Sequence, residues 1–199
     1  MPALVGQPPT DETAISSAGM RTFNLDLFLR LNDEYKEKPV IAAPRGQDRS
    51  SRLDGARRWA EKIDKRVGLR GKRVLEVGCG RGYLSEVLAS DYDCTVVGVD
   101  VAPRPPWNEI HHDNLHLRHV DLSAGHDFDP RSFERIVSLV VWEHVKHPFT
   151  LLKTCKDLLA DDGTFYLRAN VHPGATASHR YREVFFPWSH LLFDESVFY

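Results

Sequence analysis

The sequence predicts an α/β fold: a doubly wound, mostly parallel sheet with helices on both faces. Three observations predict it. Five short apolar runs between Lys72 and Leu167 alternate with segments of helical spacing or with longer crossovers, as parallel strands require. The first run, Val74 to Val77, meets the alternating Gly78, Gly80 and Gly82 and passes directly into Tyr83, Leu84, Val87 and Leu88 at helical spacing; this reads as strand, tight turn, helix. The second and third runs end on acids, Asp100 and Asp121, where the strand ends of such a sheet face a ligand crevice.

Composition narrows the class. At 199 residues, 42% hydrophobic and 27% charged, the chain fits one globular domain with a sizeable core. A formal charge of −2 offers no global attraction to nucleic acid or an anionic membrane, and neither is expected as a partner. Cys79, Cys94 and Cys155 are odd in number, widely spaced and without zinc spacing. They read as small buried residues in a reducing compartment. No basic stretch leads into an apolar one at the start, and no apolar run approaches the ~20 residues that span a bilayer, so a cytoplasmic location is expected.

In chain order, residues 1–20 are rich in Pro, Gly, Ser, Thr and Ala and read as a flexible tail. Residues 21–70 carry two helices. In the first, Phe23, Leu27, Phe28 and Leu31 recur at helical spacing behind a candidate cap, Asn24. In the second, Asp48, Ser50 or Ser51 caps a face of Leu53, Ala56, Trp59, Ala60, Ile63 and Val67, and Gly68 and Gly71 end it. Both read as cover for the sheet; a lid over a cleft is the alternative for the first.

Residues 71–170 form the α/β core. Without Cβ atoms the glycine turn can bend sharply and let a nucleotide-like ligand approach its amides and the positive end of the next helix. Asp100 closes the run from Cys94, 22 positions after Gly78, where a carboxylate can accept both ribose hydroxyls. The alternative is an ordinary strand-end turn residue. Asp121 could take the exocyclic amine of a purine whose ring packs on Leu122, or be a loop carboxylate. The run Phe133 to Val141 leads into Trp142-Glu143-His144-Val145-Lys146-His147-Pro148, beyond a strand end and so within reach of a substrate. His144, and after it His147, are candidate general bases, since imidazole titrates near neutrality; packing or solvation in the turn is the competing reading. The helix through Leu151, Leu152, Cys155, Leu158 and Leu159 is expected to stop at Asp161-Asp162-Gly163, before a fifth strand from Thr164 to Leu167.

These motifs together resemble those of the class I S-adenosylmethionine-dependent methyltransferases. Val74 to Gly82 matches the family's first motif, Val97 to Asp100 its acidic second-strand end, Asp121-Leu122 its third motif, Phe133 to Val145 its fourth and Leu158 to Phe165 its fifth. The resemblance implies S-adenosyl-L-methionine as cofactor. Glu76, Gly78, Cys79, Gly80 and Gly82 would surround its methionine part, Asp100 and Val101 its ribose, and Asp121 and Leu122 its adenine. Leu139 to Trp142 would line the cleft beside the methyl group, with Trp142 facing the acceptor. Catalysis would then be in-line displacement at an oxygen or nitrogen of a small-molecule or glycan acceptor. Similar ubiquinone-pathway O-methyltransferases carry a metal-binding glutamate where this chain has Val140, so no metal site is expected.

Residues 171–199 are the most individual stretch. His172, His179, Arg180, Tyr181 and His190 are candidate acceptor-binding residues, while Phe185, Phe186, Trp188 and Phe193 read mostly as core of a closing helix. Another helix is expected to start near Asp194, which leaves no room for the strands that usually close this sheet in the family it resembles. The exposed edge is expected to make an isolated monomer unstable unless a further copy covers it. Two other functions share some features: an NAD-dependent oxidoreductase, against which the G-x-G-x-G spacing and Tyr83 speak, and a cofactor-binding module without catalysis.

Overall fold

The computed structural model describes residues 24–38, 48–170, 174–175, 183–194 and 197. In chain order the elements are α1 (Leu25–Lys36), α2 (Arg49–Val67), β1 (Arg73–Val77), α3 (Tyr83–Asp91), β2 (Thr95–Asp100), β3 (Leu115–His119), β4 (Phe133–Leu139), α4 (Pro148–Leu158), β5 (Leu159–Arg168) and α5 (Ser189–Leu192), with short 3-10 turns at Pro105–Glu109 and Trp142–His144. They fall into two compact units, Gly46–Ala169 and a second made of Met1–Arg45 with Asn170–Tyr199.

In the larger unit five strands lie in the order β3-β2-β1-β4-β5, and every pairing is parallel. From β1 the chain winds outward through β2 and β3, then returns to lay β4 and β5 on the other side. The order therefore reverses between β1 and β4, and a crevice opens beyond their carboxyl ends. β1 is central and buried from Val74 to Val77, as a strand covered on both faces must be. Its alternate side chains serve different layers. Val74 joins Ala60, Ile63, Leu88 and Val96 under α2 and α3, whereas Leu75 and Val77 join Ile136, Leu151, Cys155 and Leu158 under α4.

Local chemistry sets the helix ends. Asp48 caps α2 by accepting from the Ser51 N–H at 3.0 Å and the Ser51 hydroxyl at 2.8 Å. Gly68 closes it in the left-handed region at φ +65°, and Asp64 Oδ1 takes the following Leu69 N–H at 2.7 Å.

Two element boundaries differ from expectation. α4 ends at Leu158, not at Asp161-Asp162-Gly163, and β5 starts at once with Leu159. Leu159 pairs with Phe133 and Thr164 with Arg135, so β5 carries surplus residues against β4 and bulges there. Parallel pairing thus claims residues that local composition assigns to a turn. The closing segment forms the short helix α5 at Ser189–Leu192, while the helix expected near Asp194 falls on residues that, apart from Asp194 and Val197, lie outside the described ones.

In the smaller unit, Asn24 Oδ1 caps α1 through the Leu27 N–H at 2.8 Å. The apolar face of α1 packs on the C-terminal segment: Phe28 meets Phe186 and Phe193 edge-on at 5.5 and 5.3 Å between centroids. Asn32 fastens the pair, donating to the Glu183 carbonyl at 2.9 Å and accepting from the Phe185 N–H at 2.8 Å. Among the described residues no helix is long and apolar enough to cross a membrane.

Candidate active site

The glycine turn is held from three sides. The N–H groups of Gly78 and Cys79 both donate to the Val99 carbonyl, at 2.8 and 2.9 Å, which locks the end of β1 to the end of β2. Asp100 accepts from the Gly80 N–H at 2.8 Å through Oδ2 and from the Ala102 N–H at 3.1 Å through Oδ1. Trp107, in the turn after β2, donates its indole N–H to the Gly80 carbonyl at 2.8 Å. Gly78 is required for space as well as conformation: at φ +76° a Cβ there would lie 2.3 Å from Val141 Cγ2.

Glu76 sits behind this turn. It is buried at 5% exposure, and the Ser85 hydroxyl of α3 donates to its Oε2 at 2.5 Å. Gly98, opposite Glu76 in the register, makes the room: a Cβ at Gly98 would lie 2.5 Å from Ser85 Oγ. Burial pushes the Glu76 carboxyl up to about 8, against the Ser85 hydrogen bonds that favour the charged form. Burial also pushes the Cys79 thiol up, which makes it an inert packing residue rather than a nucleophile.

Beyond the strand ends lies a cleft of about 660 Å³, within the range of small-molecule sites. Of the residues singled out in the sequence, Gly78, Gly80, Asp100, Val101, Asp121, Leu122, Leu139, His144 and His147 line it. Asp121 Oδ1 accepts from the Ser123 N–H at 2.9 Å, and Leu122 is buried beside it. Glu76, Cys79 and Gly82 are absent from the wall and stand behind the turn, Gly82 as the left-handed N-cap of α3. Trp142 is also absent from the wall: it packs on the α4-side core with its ring 5.9 Å from Phe165. His190 lies on α5 in the smaller unit, and His172, His179, Arg180 and Tyr181 lie outside the described residues.

The wall also contains Val140 and Val141, from the segment Leu139 to Trp142, together with two residues that the sequence did not single out, Arg104 and Lys146. Val140 carries φ +58°, a costly conformation for a β-branched residue, and its N–H is tied to the Arg168 carbonyl at 2.7 Å. Val140→Gly is therefore expected to raise stability by about 1 kcal/mol, strain relief outweighing added chain entropy; denaturant melts of the two proteins check it.

A sulfonium nucleoside joined to an amino acid fits this wall. The carboxylates of Asp100 and Asp121 stand at adjacent strand ends with lone pairs beyond those used by backbone N–H groups. The floor between them is apolar, and a buried carboxylate, Glu76, stands behind the turn with no ion pair to a described residue. Among the described residues no group of three or more His, Cys, Asp and Glu side chains could hold a metal ion.

The family described as methyltransferase domain matches residues 51–197. Over 119 residues the chain is 34% identical to the ubiquinone biosynthesis O-methyltransferase of Pseudomonas fluorescens, covering 57% of this chain and 51% of that protein. A protein of the same name from Glaesserella parasuis is 33% identical over 133 residues, covering 62% and 56%. The chain thus spans about half the length of the curated relatives it matches. An S-adenosylmethionine-dependent methyltransferase of Mesorhizobium loti superposes with a TM-score of 0.50 at 23% identity, covering 57% of this chain and 52% of that one; the likeness is one of fold.

Proposed function

Since the chain belongs to the methyltransferase-domain family of class I, S-adenosylmethionine-dependent proteins, we propose that it binds S-adenosylmethionine in the cleft beyond β1, β2 and β4 and transfers the methyl group to an oxygen or nitrogen of a small-molecule acceptor. The observation that carries this reading is the join between Asp100 and the glycine turn: one carboxylate organises the backbone that faces a nucleoside and keeps lone pairs for its ribose. When bound, the cofactor supplies a methyl group already activated by its sulfonium. The protein's own part is binding, orientation and exclusion of water. Asp121 and Leu122 suit the adenine amine and ring face. Leu139, Val140 and Val141 line the cleft with hydrocarbon and keep water from the reacting centre. His144 and His147, on the segment after β4, are the groups in the wall suited to take a proton from the acceptor. The buried free thiols of Cys79, Cys94 and Cys155 support a reducing, cytoplasmic setting.

Asp100→Asn tests the reading. Asparagine offers one acceptor oxygen where Asp100 uses both, so the amide NH2 would face a backbone N–H of Gly80 or Ala102. Affinity for S-adenosylhomocysteine, measured by calorimetric titration, is expected to fall at least about thirtyfold. The wild-type protein is expected to bind S-adenosylmethionine and S-adenosylhomocysteine but not NAD. Binding of NAD alone would point to the oxidoreductase instead.

A further inference from the structure

Two cations in the cleft have no counterpart in the cofactor-binding scheme. Arg104, between β2 and β3, and Lys146, between β4 and α4, both line it and are exposed. Among the described residues neither side chain makes a hydrogen bond or an ion pair, and only the Arg104 carbonyl is engaged, accepting from the Trp107 N–H at 3.0 Å. Several other basic side chains on this unit are matched, among them Arg49 with Glu86, Lys72 with Glu134 and Arg118 with Asp127. The acids in the same wall do not serve as counterions, since Asp100 accepts from the backbone of Gly80 and Ala102, and Asp121 from that of Ser123.

The backbone beneath Arg104 is stiff. It stands between Pro103 and Pro105-Pro106 in extended conformation, φ −122° and ψ 142°, and the turn that follows is tethered by Trp107 to Gly80. A guanidinium carried on a preorganised loop loses less freedom on binding than one on a mobile loop. Lys146 likewise leads into Pro148, the first residue of α4. Between the two cations the lining is mostly hydrocarbon, including Val101, Val145 and Leu151, and a concave low-dielectric wall concentrates their field.

We propose that the acceptor is a small amphipathic molecule bearing an oxyanion, a carboxylate or a phosphate ester, which Arg104 and Lys146 hold while its apolar body lies on the valine and leucine wall. The proposal rests on the methyltransferase reading of the cleft and names the charge class of its acceptor. A guanidinium can grip either oxyanion through two N–H groups and an ammonium adds a point charge.

The test is calorimetric titration of the full chain, first with S-adenosylhomocysteine alone and then, once loaded, with matched probes: 3,4-dihydroxybenzoate against 3,4-dihydroxybenzamide, and phenyl phosphate against phenol. At least one anion is expected to bind about tenfold or more tighter than its neutral partner, and the pair that shows the preference tells carboxylate from phosphate. Raising the salt concentration should weaken the anion alone, and the R104Q/K146Q double variant should erase the preference. Equal binding of charged and neutral probes overturns the inference, as does a preference that survives in the double variant. So does a double variant that loses S-adenosylhomocysteine affinity while keeping the preference, since the cations would then serve the cofactor's carboxylate. Failure of S-adenosylhomocysteine to bind the wild-type chain overturns the function itself, and the inference with it.

Discussion

Glu76→Gln is expected to remove a steep loss of stability that the ligand-free protein suffers as pH rises from about 4.5 to about 8. The sign follows from burial. In the folded state the Glu76 carboxyl holds its proton up to about 8, whereas in the unfolded chain it titrates near the ordinary value of 4.5. Between these limits the folded state binds more protons than the unfolded one, so the contribution is complete below about 4.5 and is lost as pH rises through about 8. The interval corresponds to roughly 5 kcal/mol. Glutamine keeps an oxygen for the Ser85 hydroxyl but cannot ionise, and its buried NH2 costs about 1–3 kcal/mol if unmatched. The variant should therefore start lower at acid pH and then stay flat. Thermal melts across this pH range check the two slopes, and parallel slopes would show that Glu76 is not the group responsible.

Under the proposed function, with Glu76 taking the ammonium of the cofactor's methionine part, the same residue is expected to link pH to cofactor binding. A buried carboxylate that gains an ammonium partner must ionise, so wild-type protein at pH 6.5 is expected to release close to one proton as S-adenosylmethionine binds. Glu76→Gln should release none and bind at least about thirtyfold more weakly. Titrations in two buffers of different ionisation enthalpy measure the proton count directly.

Gly78→Ala is expected to destabilise the fold by about 3–5 kcal/mol, whereas Gly80→Ala should cost only about 1–2 kcal/mol. Both glycines have positive φ, +76° and +54°, but a Cβ on Gly80 meets nothing within 4 Å, while one on Gly78 lies 2.3 Å from Val141 Cγ2. Valine has no soft rotamer into which to retreat, and its neighbour Val140 is already held in the left-handed region. The extra cost at Gly78 is thus a collision between the ends of β1 and β4. Val141→Ala in the Gly78→Ala background should recover that part and leave the conformational cost, giving a coupling of about 1–2 kcal/mol in a double-mutant cycle. Urea denaturation of the four proteins measures it; strict additivity would mean that the two side chains do not compete for the same space.

The residues legible in the sequence were those whose signal is local. Asn24 and Asp48 cap the helices expected of them, and Asp100 ends β2 beside the glycine turn. What escaped was set by partners distant in the chain. Asp161-Asp162-Gly163 has the composition of a stop, yet pairing with β4 draws it into β5. Trp142 follows a strand that points at the cleft, but its ring packs on the core near Phe165. Phe28 has the pattern of a sheet-facing residue, and its contacts are Phe186 and Phe193, more than 150 positions away in a chain of 199 residues. Arg104 and Lys146 belong to no motif, and only the closure of β2 and β4 onto β1 brings both to one wall.

By itself the sequence determined the alternation of strand and helix, the glycine turn and the acids after it, because each depends on backbone preference or on periodicity within a few residues. Only the tertiary structure decided that Asp100 braces the turn, that Glu76 lies buried behind it against Ser85, and that Val141 occupies the space a side chain at Gly78 would need. These depend on register between strands, which no local pattern encodes: a shift of one residue would send every one of those side chains to the opposite face.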